Sequence, residues 1–168
     1  MSTTTSATPQ HDGAGFAWYA GIWAVANRRR NADGIWEEFA ATCRVSMHVE
    51  DRVQLDHYDA PDFPGRGHVE AVTVRALDPA TGQWSIIWLA NYSPPDFRPL
   101  VGRWDGDEAH FHQTITDEAG GPLQARFRWQ RFNDDHARWE QAFSTDEGAT
   151  WDWNWSMELT RTGPAPSP

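Results

Sequence analysis

An antiparallel, up-and-down all-β barrel of about nine or ten strands is what this 168-residue sequence predicts, and three observations predict it. Apolar residues recur at every second position through most of the chain, the period of a strand with one buried face. Short turns rich in Asp, Asn, Gly and Pro interrupt that pattern at regular spacing, as hairpin-connected strands require. No long segment carries the period of a helix.

The alternation is strongest between Ala125 and Arg161, which holds five of the eleven tryptophans. Phe127 and Trp129 share one expected face, then Trp139, Gln141 and Phe143. Trp151, Trp153, Trp155, Met157 and Leu159 share a third. Asn133-Asp134-Asp135 and Thr145-Asp146-Glu147-Gly148 are the turns between them.

Taken in order, the folded part begins near Phe16. Asn31-Ala32-Asp33-Gly34 is a turn, and Ile35 to Glu50 reads as a long strand whose two faces are Trp36, Glu38, Ala40, Thr42 and Ile35, Glu37, Phe39, Ala41. Arg52 to Ala60 is a shorter strand, and the Pro- and Gly-rich stretch from Asp59 to Gly67 is expected to be a loop. His68 to Asp78 and Gly82 to Tyr92 form a hairpin through Asp78-Pro79-Ala80-Thr81-Gly82. Trp84, Ile86 and Trp88 alternate with Ser85, Ile87 and Leu89, so that strand is apolar on both faces and expected to be covered. A hairpin carrying Trp104 and His110 to Thr116 leads into the last third.

Composition narrows the function classes. A formal net charge of −10, with Arg28-Arg29-Arg30 as the one basic run, argues against nucleic acid and anionic membrane surfaces as partners, since both need clustered cations. The single cysteine, Cys43, allows no internal disulfide and suits a reducing, cytoplasmic compartment; it reads as a small buried hydrophobe. Residues 1–15 lack the charged and apolar regions of a signal peptide and are expected to form a disordered tail, with residues 16–162 as one barrel domain and 163–168 as a second tail. No apolar run approaches the ~18 residues of a membrane span.

Gly21-Ile22-Trp23 resembles the G-x-W of lipocalins, in which the Trp closes one barrel end beneath an Arg of the last strand; Arg161 stands at the matching place. Longer stretches extend the likeness: W-E-E-F at Trp36 to Phe39, D-P-A-T-G-Q-W-S-I at Asp78 to Ile86, R-W-E-Q-A-F-S-x-D at Arg138 to Asp146, and T-W-x-x-N-W-x-M at Thr150 to Met157. With these, residues 16–161 resemble a bacterial calycin-like, lipocalin-type family of uncharacterised barrels. The resemblance implies an up-and-down barrel enclosing a small, largely apolar ligand. After Phe111 the chain departs from it with His112-Gln113-Thr114.

Candidate site residues follow from polar groups embedded among large apolar ones. Glu38, Arg75 and His112 are the catalytic candidates: Glu38 or a histidine as general base, and Arg75 to bind a carboxylate or an enolate oxygen. Trp84, Trp88, Arg126, Trp129, Gln141 and Trp155 are the candidate ligand contacts. Arg126 and Glu140 could instead form an outward cross-strand pair. His110 and His112 have zinc-like H-x-H spacing, but Phe111 and Ile115 are the apolar face of that strand, so both histidines are expected outside and no metal is assigned. Some small ten-stranded barrels of the superfamily that the chain resembles bind haem through a histidine on a late strand; here none follows His136, which is expected in a polar turn. No cofactor is assigned.

The sequence therefore reads as a barrel that binds a small apolar or aromatic molecule in a Trp-lined cavity. The alternative is a cofactor-free cyclase, isomerase or dehydratase of a polyketide-like or terpenoid-like substrate. A metal- or haem-binding barrel stands behind both, and a homodimer or a structural protein with a filled core is compatible with the pattern.

Overall fold

The computed structural model describes residues 15–117 and 119–166. The tail expected over residues 1–15 thus falls, apart from Gly15, outside the described residues, as do the last two residues of the chain. A 3-10 turn, Ala17–Tyr19, precedes ten strands: β1 (Gly21–Arg30), β2 (Trp36–His48), β3 (Val53–Phe63), β4 (Gly67–Asp78), β5 (Gln83–Ala90), β6 (Leu100–Asp105), β7 (Glu108–Thr116), β8 (Pro122–Asn133), β9 (His136–Ser144) and β10 (Asp152–Gly163). Each pairs antiparallel with the next, and β1 pairs with β10 to close the barrel. Closure removes the free edges that an open sheet would expose.

Hairpin connectivity puts the β2–β3, β4–β5, β6–β7 and β8–β9 turns at one end, together with the 3-10 turn. That end is closed. Phe16 packs there between Trp84, Trp104 and Trp129 at ring-centroid distances of 5.2, 5.2 and 5.5 Å. Trp23 Nε1 donates to the Tyr19 carbonyl at 2.8 Å, and the Arg161 guanidinium lies 4.4 Å above the Trp23 ring. Arg161 also donates to the carbonyls of Ala20 and Trp18, tying the last strand to the segment that plugs the barrel. Gly21 is required here because a Cβ at its position would collide with Arg161 Nη1. At β6, Gly102 has a similar role: a Cβ would run into the His110 backbone carbonyl across the sheet.

Three expectations need correcting. The stretch from Asp59 to Gly67 is strand up to Phe63, with an irregularity between Ala60 and Phe63 that accommodates Pro61, which has no N–H for the ladder. The outer face of β5 is not covered: Ile87 and Leu89, beside Val72 and Val74 of β4, are only half-buried. The five-residue face from Trp151 to Leu159 is broken. Trp153 pairs with Ala142 and Trp155 with Gln141, so Asn154 is an extra residue without a partner on β9. This bulge reverses the alternation. Trp155, Met157 and Leu159 are buried inside, while Trp153 and Trp151 turn outward over Arg126 and Arg128.

Candidate ligand cavity

Between the plugged end and the opposite, open end the barrel interior holds a cavity of about 130 Å³. One water needs roughly 10–15 Å³ on the same kind of measure, so a small molecule fits. Its walls are aromatic: Tyr19, Tyr58, Trp88, Trp129, Trp139 and Trp155, with Ile86, Met157 and Leu159 between them. Tyr92 and Phe127 complete the lining. The polar members are Cys43, Asp56, Thr73, Arg75 and Gln141.

The strand registers place the polar floor. Arg75 on β4 lies opposite Gln54 on β3, with Asp56 two residues further along on the same face. Arg75 Nη1 donates to Gln54 Oε1 at 2.8 Å and Nη2 to Asp56 Oδ2 at 3.1 Å. The guanidinium is stacked against Phe16, Tyr19 and Trp129, with Cζ 4.9, 5.4 and 5.2 Å from the ring centroids. Gln54 Nε2 donates to the Phe16 carbonyl at 2.7 Å, so the floor and the plug are one network. Asp56 Oδ1 and Arg75 Nε have no hydrogen-bond partner among the described residues.

Higher in the barrel, Asn27 Oδ1 accepts from the Tyr58 hydroxyl and from Trp155 Nε1, both at 3.1 Å. Gln141 Nε2 donates to Asn154 Oδ1 at 3.1 Å, which ties the bulge to the cavity wall. Burial pushes the Tyr19 and Cys43 hydrogens' pKa values well up, with the Asp56 charge adding to both, and burial does the same to Tyr58. All three groups stay protonated near neutral pH and meet a ligand as neutral groups.

Of the residues singled out from the sequence, Arg75, Trp88, Trp129, Gln141 and Trp155 converge on this cavity. The others do not. Trp84 is buried at the closed end against Phe16. Glu38 is exposed on the outer face of β2, beside Ala24 and Ala26 of β1 in a shallow surface groove; the inward face of β2 is Phe39, Ala41, Cys43 and Val45. His112 and Arg126 are also on the outside, where His112 lies 5.9 Å from the Trp151 ring. Loss of solvent, then the Arg126 and His110 charges, hold His112 below the usual histidine range. Glu140 pairs with Arg128 rather than with Arg126. Arg75 has both Nη atoms engaged and its charge paired with Asp56, so it is not a free cation for an enolate or carboxylate. Glu38 and His112 therefore cannot act as base on a molecule in the cavity, and the cyclase or isomerase reading loses its proposed machinery.

His110 is likewise outside, with Nε2 2.6 Å from Glu108 Oε1 and Nδ1 accepting from Arg126 at 2.8 Å. His136 pairs with Glu158 on the outer surface, and no histidine lines the cavity. Among the described residues no group of three or more His, Cys, Asp or Glu is placed to hold a metal. Among the described residues no helix is long and apolar enough to cross a membrane.

Comparison with solved structures finds the same architecture. Rv2717c from M. tuberculosis matches with a TM-score of 0.57 at 10% identity, over 88% of this chain and 94% of that one. The S-type phycobiliprotein lyase CPES from Guillardia theta matches with a TM-score of 0.59 at 14% identity, over 91% and 92%. The shared fold is a closed, ten-stranded antiparallel β-barrel. At these identities the likeness is one of fold. No protein-family model and no curated protein matches the chain.

Within that barrel, sequence reading overlooked Gln54, Asp56 and Tyr58. They alternate with Val53, Leu55 and His57 along β3, so the signal of a shared face was present; the side that looked more polar is the one turned inward.

Proposed function

We propose that the barrel binds a small, largely apolar or aromatic molecule in its open half. The observation that carries this is the unfilled space walled by Trp88, Trp129, Trp139 and Trp155 above the Arg75–Asp56–Gln54 floor. Protein interiors otherwise pack to crystal-like density, and aromatic walls facing empty space forgo dispersion contacts that a planar ligand restores. The fold likeness to a phycobiliprotein lyase adds bilin-like chromophores to the ligands to be tried.

Native mass spectrometry of protein purified without denaturant, with titration of tryptophan fluorescence by a panel of one- and two-ring aromatics and a bilin, tests the proposal. A retained mass, or saturable quenching that Trp155→Ala and Trp88→Ala weaken, is expected. Empty protein with no fluorescence change across the panel would overturn it.

A further inference from the structure

The cavity mouth is formed by the β1–β2, β3–β4, β5–β6, β7–β8 and β9–β10 connections. β1 reaches it as Arg28-Arg29-Arg30, and strand alternation sends these three side chains in different directions. Arg28 turns outward with Cζ 4.7 Å over the Trp36 ring. Arg30 turns outward too, and its Nη2 meets Asp152 Oδ2 at 2.5 Å. Arg29 points inward. It lies opposite Trp155 on β10 and Glu37 on β2, with Cζ 5.4 Å from the Phe63 ring and 5.6 Å from the Trp155 ring.

Among the described residues Arg29 has neither an ion-pair nor a hydrogen-bond partner for its side chain. Glu37, its neighbour in register, accepts instead from Asn31 Nδ2 at 3.1 Å. Across Phe63, the Arg66 guanidinium sits 4.2 Å from the Tyr92 ring, also without an ion-pair partner among the described residues. Several acidic groups of the same rim are already engaged: Asp152 by Arg30, Asp96 by Arg98, Asp117 by the Gly121 N–H and Asp146 by Thr150. A guanidinium stacked on aromatic rings is fixed in direction while its N–H fork stays open, the geometry that takes a carboxylate bidentately.

Resting on the cavity reading above, we propose that the ligand is a one- or two-ring aromatic carboxylate that enters ring first. Its carboxylate stays at the mouth on Arg29. Arg75 is less suited to this part, because its charge is already matched by the buried Asp56 carboxylate. The polar head therefore faces solvent and the rings face the tryptophans.

The test compares 2-naphthoate with 2-naphthylmethanol, matched in ring size and differing in charge, by calorimetric and fluorescence titration. Wild-type protein should prefer the carboxylate by about tenfold, the scale of one charge-assisted hydrogen bond. Arg29→Gln should remove that preference by weakening naphthoate binding alone, with the alcohol changed less than about twofold. Arg29→Lys should keep part of the preference, and Arg30→Gln should leave it intact; circular dichroism checks the fold of each. Equal wild-type affinity for the two probes, or equal weakening of both by Arg29→Gln, would overturn the carboxylate assignment while the cavity reading stands. If neither naphthyl probe binds while other aromatics do, the assignment also falls. If nothing binds, both readings fall together.

Discussion

Asp56 Oδ2 lies 3.1 Å from Arg75 Nη2 with each side chain only 5% exposed, which makes this a buried ion pair. Its worth comes less from Coulomb attraction than from mutual neutralisation, since two desolvated charges roughly repay their own burial. Removing one partner is another matter. Asp56→Leu should leave Arg75 charged among Phe16, Tyr19 and Trp129 and cost about 3–5 kcal/mol in urea unfolding. The double change Asp56→Leu with Arg75→Met should recover most of that loss, because it exchanges the pair for apolar volume. Two single losses that simply add would show that the residues do not act as a pair.

Gly21 and Arg161 meet at the closed end, and the contact tolerates no side chain on β1. Gly21→Ala should displace the guanidinium from the Trp23 ring and from the Ala20 and Trp18 carbonyls. The loss should be about 2–3 kcal/mol, the sum of a stacked cation and strained hydrogen bonds. Arg161→Ala should cost a similar amount. The double variant, followed by denaturant titration, should be no worse than the poorer single one, because both remove the same latch.

The strand count was legible in the sequence because it depends on local period and on turn residues, which a chain displays whatever its tertiary context. The latch of Arg161 over Trp23 depends on a contact between the two ends of the chain, and it was expected only through the resemblance of Gly21-Ile22-Trp23 to the lipocalin G-x-W. The inward face of each strand was less accessible. Alternation shows that Gln54, Asp56 and Tyr58 share a side, or that Glu38 shares one with Trp36 and Ala40, yet it does not say which side meets the axis. On β3 the polar set is inside because Gln54 and Asp56 partner Arg75, a pairing made across strands and invisible along one. At Asn154 the alternation itself misled: one inserted residue exchanged the faces of Trp151 and Trp153 relative to Trp155, and Arg126, expected to touch ligand, became their outer partner. Arg29 escaped notice because it stands in a basic run whose other two members turn away from the cavity.

The β9–β10 connection, which carries Trp151 and borders the mouth, is held by one exposed carboxylate. Asp146 Oδ1 accepts from Ser144 Oγ at 2.7 Å and from the Thr150 N–H at 2.9 Å, while Oδ2 accepts from Thr150 Oγ1 at 2.6 Å. Hydrogen bonds from Thr150 first, then Ser144, lower its pKa from 3.8 to about 2. Because the folded value lies below the unfolded one, the unfolded chain binds the proton first as acid is added. The contribution is therefore complete above about pH 4, falls away between there and about pH 2, and is absent in stronger acid. Asp146→Asn removes this titration but keeps one acceptor oxygen. The stability difference between wild type and variant, from urea unfolding at successive pH values, should be constant from neutrality to about pH 4 and then shrink toward pH 2. A difference that stays constant throughout that acid window would mean that the ionised carboxylate does not hold the loop. Weaker ligand binding by the variant at neutral pH, without a change in the barrel's circular dichroism, would link this turn to the shape of the mouth.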